Sequence, residues 1–513
     1  MKDRPKVLVI GLDGATWDLI KPWAEEGELP TIKKLMDSGV YGTMLSVLPT
    51  ESGANWSSFF TGKNPGKHGI IGFYSNTKNR PYNYYDISKV GHVYEILSMA
   101  GFKIGFMNFP LDFPPPKLEG FIVSGFLAPN LKEASSDNTV YYILSKNNYN
   151  IDILTSIVGK CNRKKILELS RKSIRSRTKS FLELLNIYTP DFCGILFNET
   201  DILQHWYFND EELIKSIFRE LDNAIKEIFQ NISDNNTYII IVSDHGFKKM
   251  PHRAVNLKYL FTSIGLIETN KLKLIIGKLR YLVLSMANIF SKTFKVKVDL
   301  RITRSIREKL NKAFYHVSKK SVIKGKIDNL LFLQFGISIR NLDDMQIDTI
   351  IELLRHVKDP KTGERVFIDV FRREDYFTGP YVEDMPDIIF IPNKCYKVVW
   401  SDLPVLFFDT YYEKEQGSHD FCFDGILIAC GPNIKKGERV DAKIYDIAPT
   451  ILHIFGLPIP NDMDGRVLME IFKPDSEIAK RRPVYVDPSY YRKDTEKERL
   501  KLKIKELKLK GKI

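Results

Sequence analysis

Asp244 and His245 stand side by side at the end of an apolar, β-branched run, Thr237–Val242, with Gly246 directly after them. Such a run reads as a strand buried on both faces of a parallel sheet. The carboxyl edge of such a sheet is where open α/β proteins bind ligands. A carboxylate oxygen and an imidazole nitrogen delivered there together supply half of a divalent-metal site. The plain alternative is an Asp that caps the next turn beside a surface His.

The same arrangement recurs along the chain. Lys6–Ile10 leads into Gly11-Leu12-Asp13-Gly14, and Leu45–Leu48 leads into Pro49-Thr50-Glu51-Ser52-Gly53. Phe192–Phe197 leads into a segment with Asp201 and His205, four residues apart and so on one face if that segment is helical. His419 lies in Gln416-Gly417-Ser418-His419-Asp420, ahead of the strand signal Gly425–Ala429. Six ligand types, Asp13, Asp201, His205, Asp244, His245 and His419, shared by two ions leave open positions on each, the mark of a catalytic site. Ser52 adds a hydroxyl at a helix start, where outward N–H groups suit a phosphoryl oxygen.

The elements that must carry these residues alternate strand and helix up to about residue 254, which predicts an α/β fold with a mostly parallel central sheet sandwiched by helices. Further strands are expected at Phe102–Met107, Phe121–Val123 and Asp387–Ile391. Helices are expected from Leu29–Met36 and Asp152–Leu185, with a Pro-interrupted one over Asp446–Leu452. Residues 255–365 read as an inserted, mainly helical, basic cap, which leaves 1–254 and 366–475 as the core and 476–513 as a charged tail. The net charge of +13 is local: Lys271–Asp328 holds sixteen Lys/Arg against three acidic residues, an excess equal to the whole. This argues against reading the overall charge as nucleic-acid binding. Leu272–Phe294 has apolar residues at rough helical spacing with Lys273, Lys278 and Arg280 among them. It reads as a cap helix packed on the core, or as an interfacial helix for an anionic membrane. In the tail, Leu500, Ile504 and Leu507 share a helix face. Five scattered cysteines, the lack of a secretory leader and the lack of a long apolar run point to reduced thiols and a cytoplasmic setting, with peripheral membrane contact through the cap as the further option.

The order Asp–hydroxyl–Asp-x-x-x-His–Asp-His–His resembles the alkaline phosphatase superfamily, and within it the type I phosphodiesterase/nucleotide pyrophosphatase branch. The likeness rests on Val9–Gly14, Pro49–Trp56 running into Thr61–Ile70, Val242–Phe247 and Gly417-Ser418-His419. It implies one divalent ion held by Asp201, His205 and His419 and a second by Asp13, Asp244 and His245, zinc by preference or manganese. It also implies Ser52 as the nucleophile, with Thr50 as fallback, attacking a phosphate ester to give a phosphoseryl intermediate that water then hydrolyses. Gly53 and Asn55 are the expected phosphoryl-binding residues, with Asn76 a further donor. Pyrophosphatases of this branch carry an Asn five residues after the His of His-Gly-Ile, and here that position is Phe73. The expected substrate is a small phosphodiester or a lipid-linked phosphate. Phosphomonoesterase and head-group transferase activities are the alternatives, and a non-catalytic binding protein is the contrasting class.

Overall fold

The computed structural model describes residues 6–75, 78–232, 236–264, 266–267, 330–339, 343–409 and 415–491. They divide into two units, one of Met1–Met250, Phe377–Asp384 and Lys414–Ile513, the other of Pro251–Tyr376 and Met385–Glu413.

The first unit is built on an eight-stranded sheet of Lys6–Leu12 (β1), Val40–Leu45 (β2), Ile104–Met107 (β3), Gly120–Val123 (β4), Phe192–Phe197 (β5), Thr237–Val242 (β6), Asp424–Cys430 (β7) and Ala442–Lys443 (β8). Their spatial order is β8-β2-β7-β6-β1-β5-β3-β4. Every pairing is parallel except those of β7, which runs antiparallel to both β6 and β2. Strand side chains alternate between faces, and both faces are covered. Leu8, Ile10, Ile239 and Ile241 pack with Phe181, Ile217, Phe218 and Leu221 of helices Arg163–Tyr188 and Glu211–Ile232. Val7, Val9, Ile240 and Val242 pack with Trp56, Phe59 and Phe60 of helix Ser52–Thr61 and with Ile451 and Leu452 of helix Ile447–Phe455. This two-sided burial is why the strands read as continuous apolar runs.

Several boundaries differ from the sequence-based expectation. The second strand is Val40–Leu45, with alternating burial, not Leu45–Leu48. Beyond it the Val47 amide is taken by the Asn55 side chain at 2.7 Å, so the ladder cannot continue. The expected interruption at Pro449 does not occur, because Pro449 lies in the first turn of Ile447–Phe455, where a missing N–H is harmless. Folded structure continues into the expected tail: Tyr485–Val486 pairs with Ile459–Pro460, and the Tyr491 hydroxyl donates to Pro458 O at 2.6 Å.

The second unit contains the segment read as a cap. Its limits exceed 255–365, and its described residues form a four-stranded sheet (Leu330–Leu333, Gly336–Ile339, Ile388–Pro392, Phe367–Arg372) and a three-stranded one (Tyr396–Val399, Arg253–Asn256, Phe407–Asp409) beside helices Leu257–Ser263 and Asp344–Arg355. Leu330–Ile339 forms an antiparallel hairpin in which the apolar run Leu330–Leu333 turns at Gln334-Phe335 and pairs with Gly336–Ile339, where Ile337 and Ile339 alternate with Gly336 and Ser338. Ile388–Pro392, expected in the core sheet, pairs instead with strands of this unit. The basic stretch Lys271–Asp328, its run Leu272–Phe294, Asn76, and Leu500, Ile504 and Leu507 lie outside the described residues. Among the described residues, no helix is long and apolar enough to cross a membrane.

One buried charge pair sets the turn after β5. Arg177 and Glu199 side chains are 2% and 1% exposed and lie 3.2 Å apart. Arg177 Nη1 also donates to Leu196 O at 2.8 Å and Asn198 Oδ1 at 2.9 Å, while Ser173 Oγ donates to Glu199 Oε1 at 2.8 Å. Helix Arg163–Tyr188 thereby pins the start of Glu199–Tyr207, the helix carrying Asp201 and His205. Removing one partner of such a pair strands a buried charge. Arg177→Met is therefore expected to cost about 3–5 kcal/mol in denaturant unfolding, with part of the loss recovered in Arg177→Met/Glu199→Gln. An unchanged midpoint for the single variant would remove the pair from this role.

Candidate active site

Four loops meet at the carboxyl edge of the sheet, all in the first unit. Asp13 leaves β1 with its N–H donated to Phe197 O at 3.0 Å. Gly14 adopts φ +67°, and a Cβ there would lie 3.0 Å from Phe247 and 3.3 Å from Asp201 Oδ1, so glycine is required on both counts. Its N–H donates to Asp244 Oδ1 at 3.2 Å. The loops are tied by side chains: Thr200 Oγ1 donates to Asp13 O, Gln204 Nε2 to Gly14 O at 2.9 Å, Ser243 Oγ to Ala15 O at 2.8 Å and Ser46 Oγ to Asp244 O at 2.6 Å. Asp244 and His245 are fully buried where β6 ends.

His419 precedes its strand in the sequence, yet it reaches the same edge. The reason is β7: being antiparallel, its amino end lies where its neighbours end. Gly417–Ser418 pairs with Lys248–Lys249, and Gln416 N donates to His205 O at 2.6 Å, which holds the His419 turn against both other histidine segments. The His419 ring stacks on that of His245 at 4.3 Å and meets that of His205 edge-on at 5.1 Å.

Ligand atoms of Asp13, Asp244 and His245 lie within 4.8 Å of one another, as do those of Asp201, His245 and His419. His245 thus belongs to both groups. His205 stands beside the second group, its Nε2 3.5 Å from Asp201 Oδ1. The His245 Nδ1 lies 3.0 Å from Gly246 O, and since a carbonyl only accepts, that nitrogen carries the proton. Its bare Nε2 then faces Asp244 Oδ2 at 3.3 Å and Asp13 Oδ1 at 3.6 Å. Two carboxyl groups and a bare imidazole nitrogen thus converge on one another. Burial holds His245 neutral, well below its ordinary pKa. Burial, then the Asp244 and Asp201 carboxylates, holds Asp13 well above the usual carboxyl range, and burial pushes Asp244 up to about 6. Burial pulls His419 down, but Glu51, Asp201, Asp420 and Asp244 outweigh it and raise its pKa. Asp244 Oδ2, Asp201 Oδ1, His205 Nδ1 and His419 Nδ1 are buried without a hydrogen-bond partner. Oxygen and imidazole donors left in this state fit divalent cations, and nothing in the set is a soft thiolate.

Ser52 opens the helix Ser52–Thr61, all ten residues of which are buried. Its Oγ lies 3.3 Å from Asp13 Oδ1 and 3.2 Å from His245 Nε2. Thr50 is differently employed: its Oγ1 accepts from Phe421 N at 3.0 Å. Gly53 follows at the second helical position, where N–H groups have no intrahelical acceptor. A Cβ on Gly53 would sit 2.4 Å from Gly72 O. Asn55 does not face a ligand as expected. Its Oδ1 accepts from Val47 N, and its Nδ2 donates to Pro49 O and Glu51 O, each at 3.1 Å, so its amide clamps the Ser52 loop from within. The sequence reading passed over Glu51. It is the helix N-cap residue, but its side chain makes no cap. Its carboxyl is raised by burial, with His419, Asp420, Asp201 and His205 as its charged neighbours. A carboxylate one residue before the hydroxyl was the available signal.

The profile of the family described as type I phosphodiesterase/nucleotide pyrophosphatase matches residues 7–421. The fold is similar to human ectonucleotide pyrophosphatase/phosphodiesterase 5, with a TM-score of 0.52 at 14% identity, covering 91% of this chain and 98% of that one. No curated protein matches the sequence. The matched residues include six of the eight sheet strands, the Ser52 helix and every carboxylate and histidine gathered at the sheet's edge. The chain therefore belongs to the type I phosphodiesterase/nucleotide pyrophosphatase family of the alkaline phosphatase superfamily, enzymes that hydrolyse phosphate esters.

Proposed function

We propose that this protein hydrolyses phosphodiesters through a phosphoseryl intermediate on Ser52, with two divalent ions, zinc by preference, as its cofactors. The observation that carries the reading is the convergence of Ser52 Oγ, the unprotonated His245 Nε2 and Asp13 at one buried edge. Asp13, Asp244 and His245 would hold one ion, and Asp201, His205 and His419 the other. When bound, such ions lower the pKa of a hydroxyl and neutralise charge on the transferring phosphoryl group.

The chain supplies the rest. Ser52 Oγ forms a bond to phosphorus as the ester oxygen of the leaving group departs and takes up a proton. Water then forms the second bond to phosphorus, and the Ser52 oxygen leaves and regains its proton. The first N–H groups of the Ser52 helix, including that of Gly53, point along the helix axis toward the transferred oxygens. Asn55 holds the loop that aims them. Because Gly53 touches the Gly72 carbonyl, Gly53→Ala would tilt this first turn, lowering turnover more than stability. Lipid-linked phosphates are within the proposed substrate class, and co-sedimentation with anionic vesicles at low salt tests attachment to a membrane.

Ser52→Ala is expected to lower bis-p-nitrophenyl phosphate turnover at least 1,000-fold, on the order seen when a nucleophile is removed, with metal content unchanged. Retained turnover would exclude Ser52, and a wild-type preference for p-nitrophenyl phosphate would put a phosphomonoesterase in place of the diesterase.

A second expectation concerns pH. Burial pushes the Asp244 carboxyl up to about 6 in the folded protein from an ordinary value of 3.8, so between those values the native state binds the extra proton. The metal-stripped protein should accordingly lose stability as pH rises from about 4 to about 6 through this group, by on the order of 2–3 kcal/mol. Asp244→Asn should flatten that slope, raise metal-free stability at pH 7 and abolish binding of one ion. Urea unfolding across pH and elemental analysis of the variant read both effects; an unaltered slope would show that Asp244 is not the titrating group.

A further inference from the structure

From the loop beside the Ser52 helix we infer that Phe73, with Phe126 and Leu127, forms a preformed apolar platform for one ester substituent of the substrate, making Phe73 a specificity-determining residue. The inference rests on the hydrolase reading above and names the chemistry of the group that reading leaves open. The loop is placed by contact: the Gly53 backbone approaches Gly72 so closely that a Cβ on Gly53 would be 2.4 Å from its carbonyl oxygen. Phe73 is thus one residue from that contact and Ser52 is one residue from it on the other side. With 3.8 Å per Cα step, the Phe73 backbone lies on the order of 10 Å from that of Ser52, a span that an ester substituent of a diester seated on Ser52 can bridge.

The loop is rigidly held. His68 Nδ1 accepts from Ile70 N at 3.1 Å, while its other nitrogen pairs with Ser58 Oγ of the Ser52 helix at 3.0 Å. Tyr82 OH donates to Gly69 O at 2.9 Å, and Tyr82 N donates to Phe73 O at 3.0 Å. Phe73 and Phe126 meet edge to face with centroids 4.8 Å apart. Phe73 and Leu127 are half-buried over a closed cluster of Ile70, Tyr82, Ile87 and Leu111. Phe73, Phe126 and Leu127 are each only partly buried, so they are backed on one side and keep accessible apolar area on the other. A surface Phe held in this way loses little side-chain freedom on binding, so the apolar area it offers is available as affinity. Such a surface has no donor for a phosphate oxygen or a sugar hydroxyl; what it takes is hydrocarbon, either an alkyl or acyl chain or an aryl ring.

Calorimetry on the zinc-loaded Ser52→Ala protein, which holds ligand without turning it over, tests this with dimethyl, methyl butyl, methyl hexyl and methyl phenyl phosphate. Affinity is expected to rise roughly three- to fourfold per methylene that reaches the platform, and to become nearly flat in Ser52→Ala/Phe73→Ala. Phe73→Leu, which keeps most of the apolar area, should restore most of the gradient, and matching thermal midpoints would exclude misfolding. A larger gain for phenyl than for hexyl would assign a ring; the reverse would assign a chain. Equal affinity across the series, or a gradient that survives both Phe73→Ala and Phe126→Ala, overturns the inference. Wild-type turnover of bis-p-nitrophenyl phosphate separately decides the hydrolase reading, so the two can fail independently.

Discussion

The fold's central constraint is the gathering of acceptors at the end of three adjacent strands. Asp13, Asp244 and His245 present oxygens and a bare nitrogen to one another in a place without water's dielectric, and burial there opposes charge. Left alone, such a group is unfavourable. The chain holds it by directing other polar groups, mostly backbone carbonyls and hydroxyls, into bonds that fix the loops from outside. Thr200, Gln204, Ser243 and Ser46 each reach across to a different loop's backbone.

That arrangement separates two tasks. The apolar strands and the helices on both faces provide stability, and the site residues sit where the ladder stops and the strands no longer constrain them. The buried acceptors of the site are a cost in the folded protein that bound cations would relieve, and such binding would couple stability to metal content. The buried Arg177–Glu199 pair plays the opposite part, a charge pair bonded to the backbone and to its neighbours that contributes position rather than chemistry.

The Ser52 loop follows the same logic at shorter range. Asn55 looked from its spacing like a phosphate contact, yet its amide is engaged at 2.7–3.1 Å by the loop it belongs to. An Asn close to a catalytic hydroxyl can be a ligand contact or a clamp. Only the orientation of its side chain tells which, and orientation is a tertiary property. Phe73 illustrates the converse: its type excluded a polar contact, but its neighbour Phe126 is 53 positions away and invisible to local pattern.

Much of the site was legible in the chain alone, because it depends on strand ends, and strand ends announce themselves as apolar runs broken by Asp, His or Gly. Asp13, Ser52, Asp201, Asp244 and His245 were found in this way, each at the end of a run or in the loop or helix that follows it. The mixed architecture of the second unit was not, since basic amphipathic stretches dominated the reading and short β-hairpins carry little periodic signal. His419 lies ahead of its strand, and only the reversed direction of β7 brings it to the common edge. The seating of Glu51 among the site histidines, and the sharing of His245 between two ligand groups, likewise came from the tertiary structure. Sequence pattern determines which residues can do chemistry and where each element ends; strand direction and loop packing decide which of them meet, because both depend on contacts between segments hundreds of residues apart.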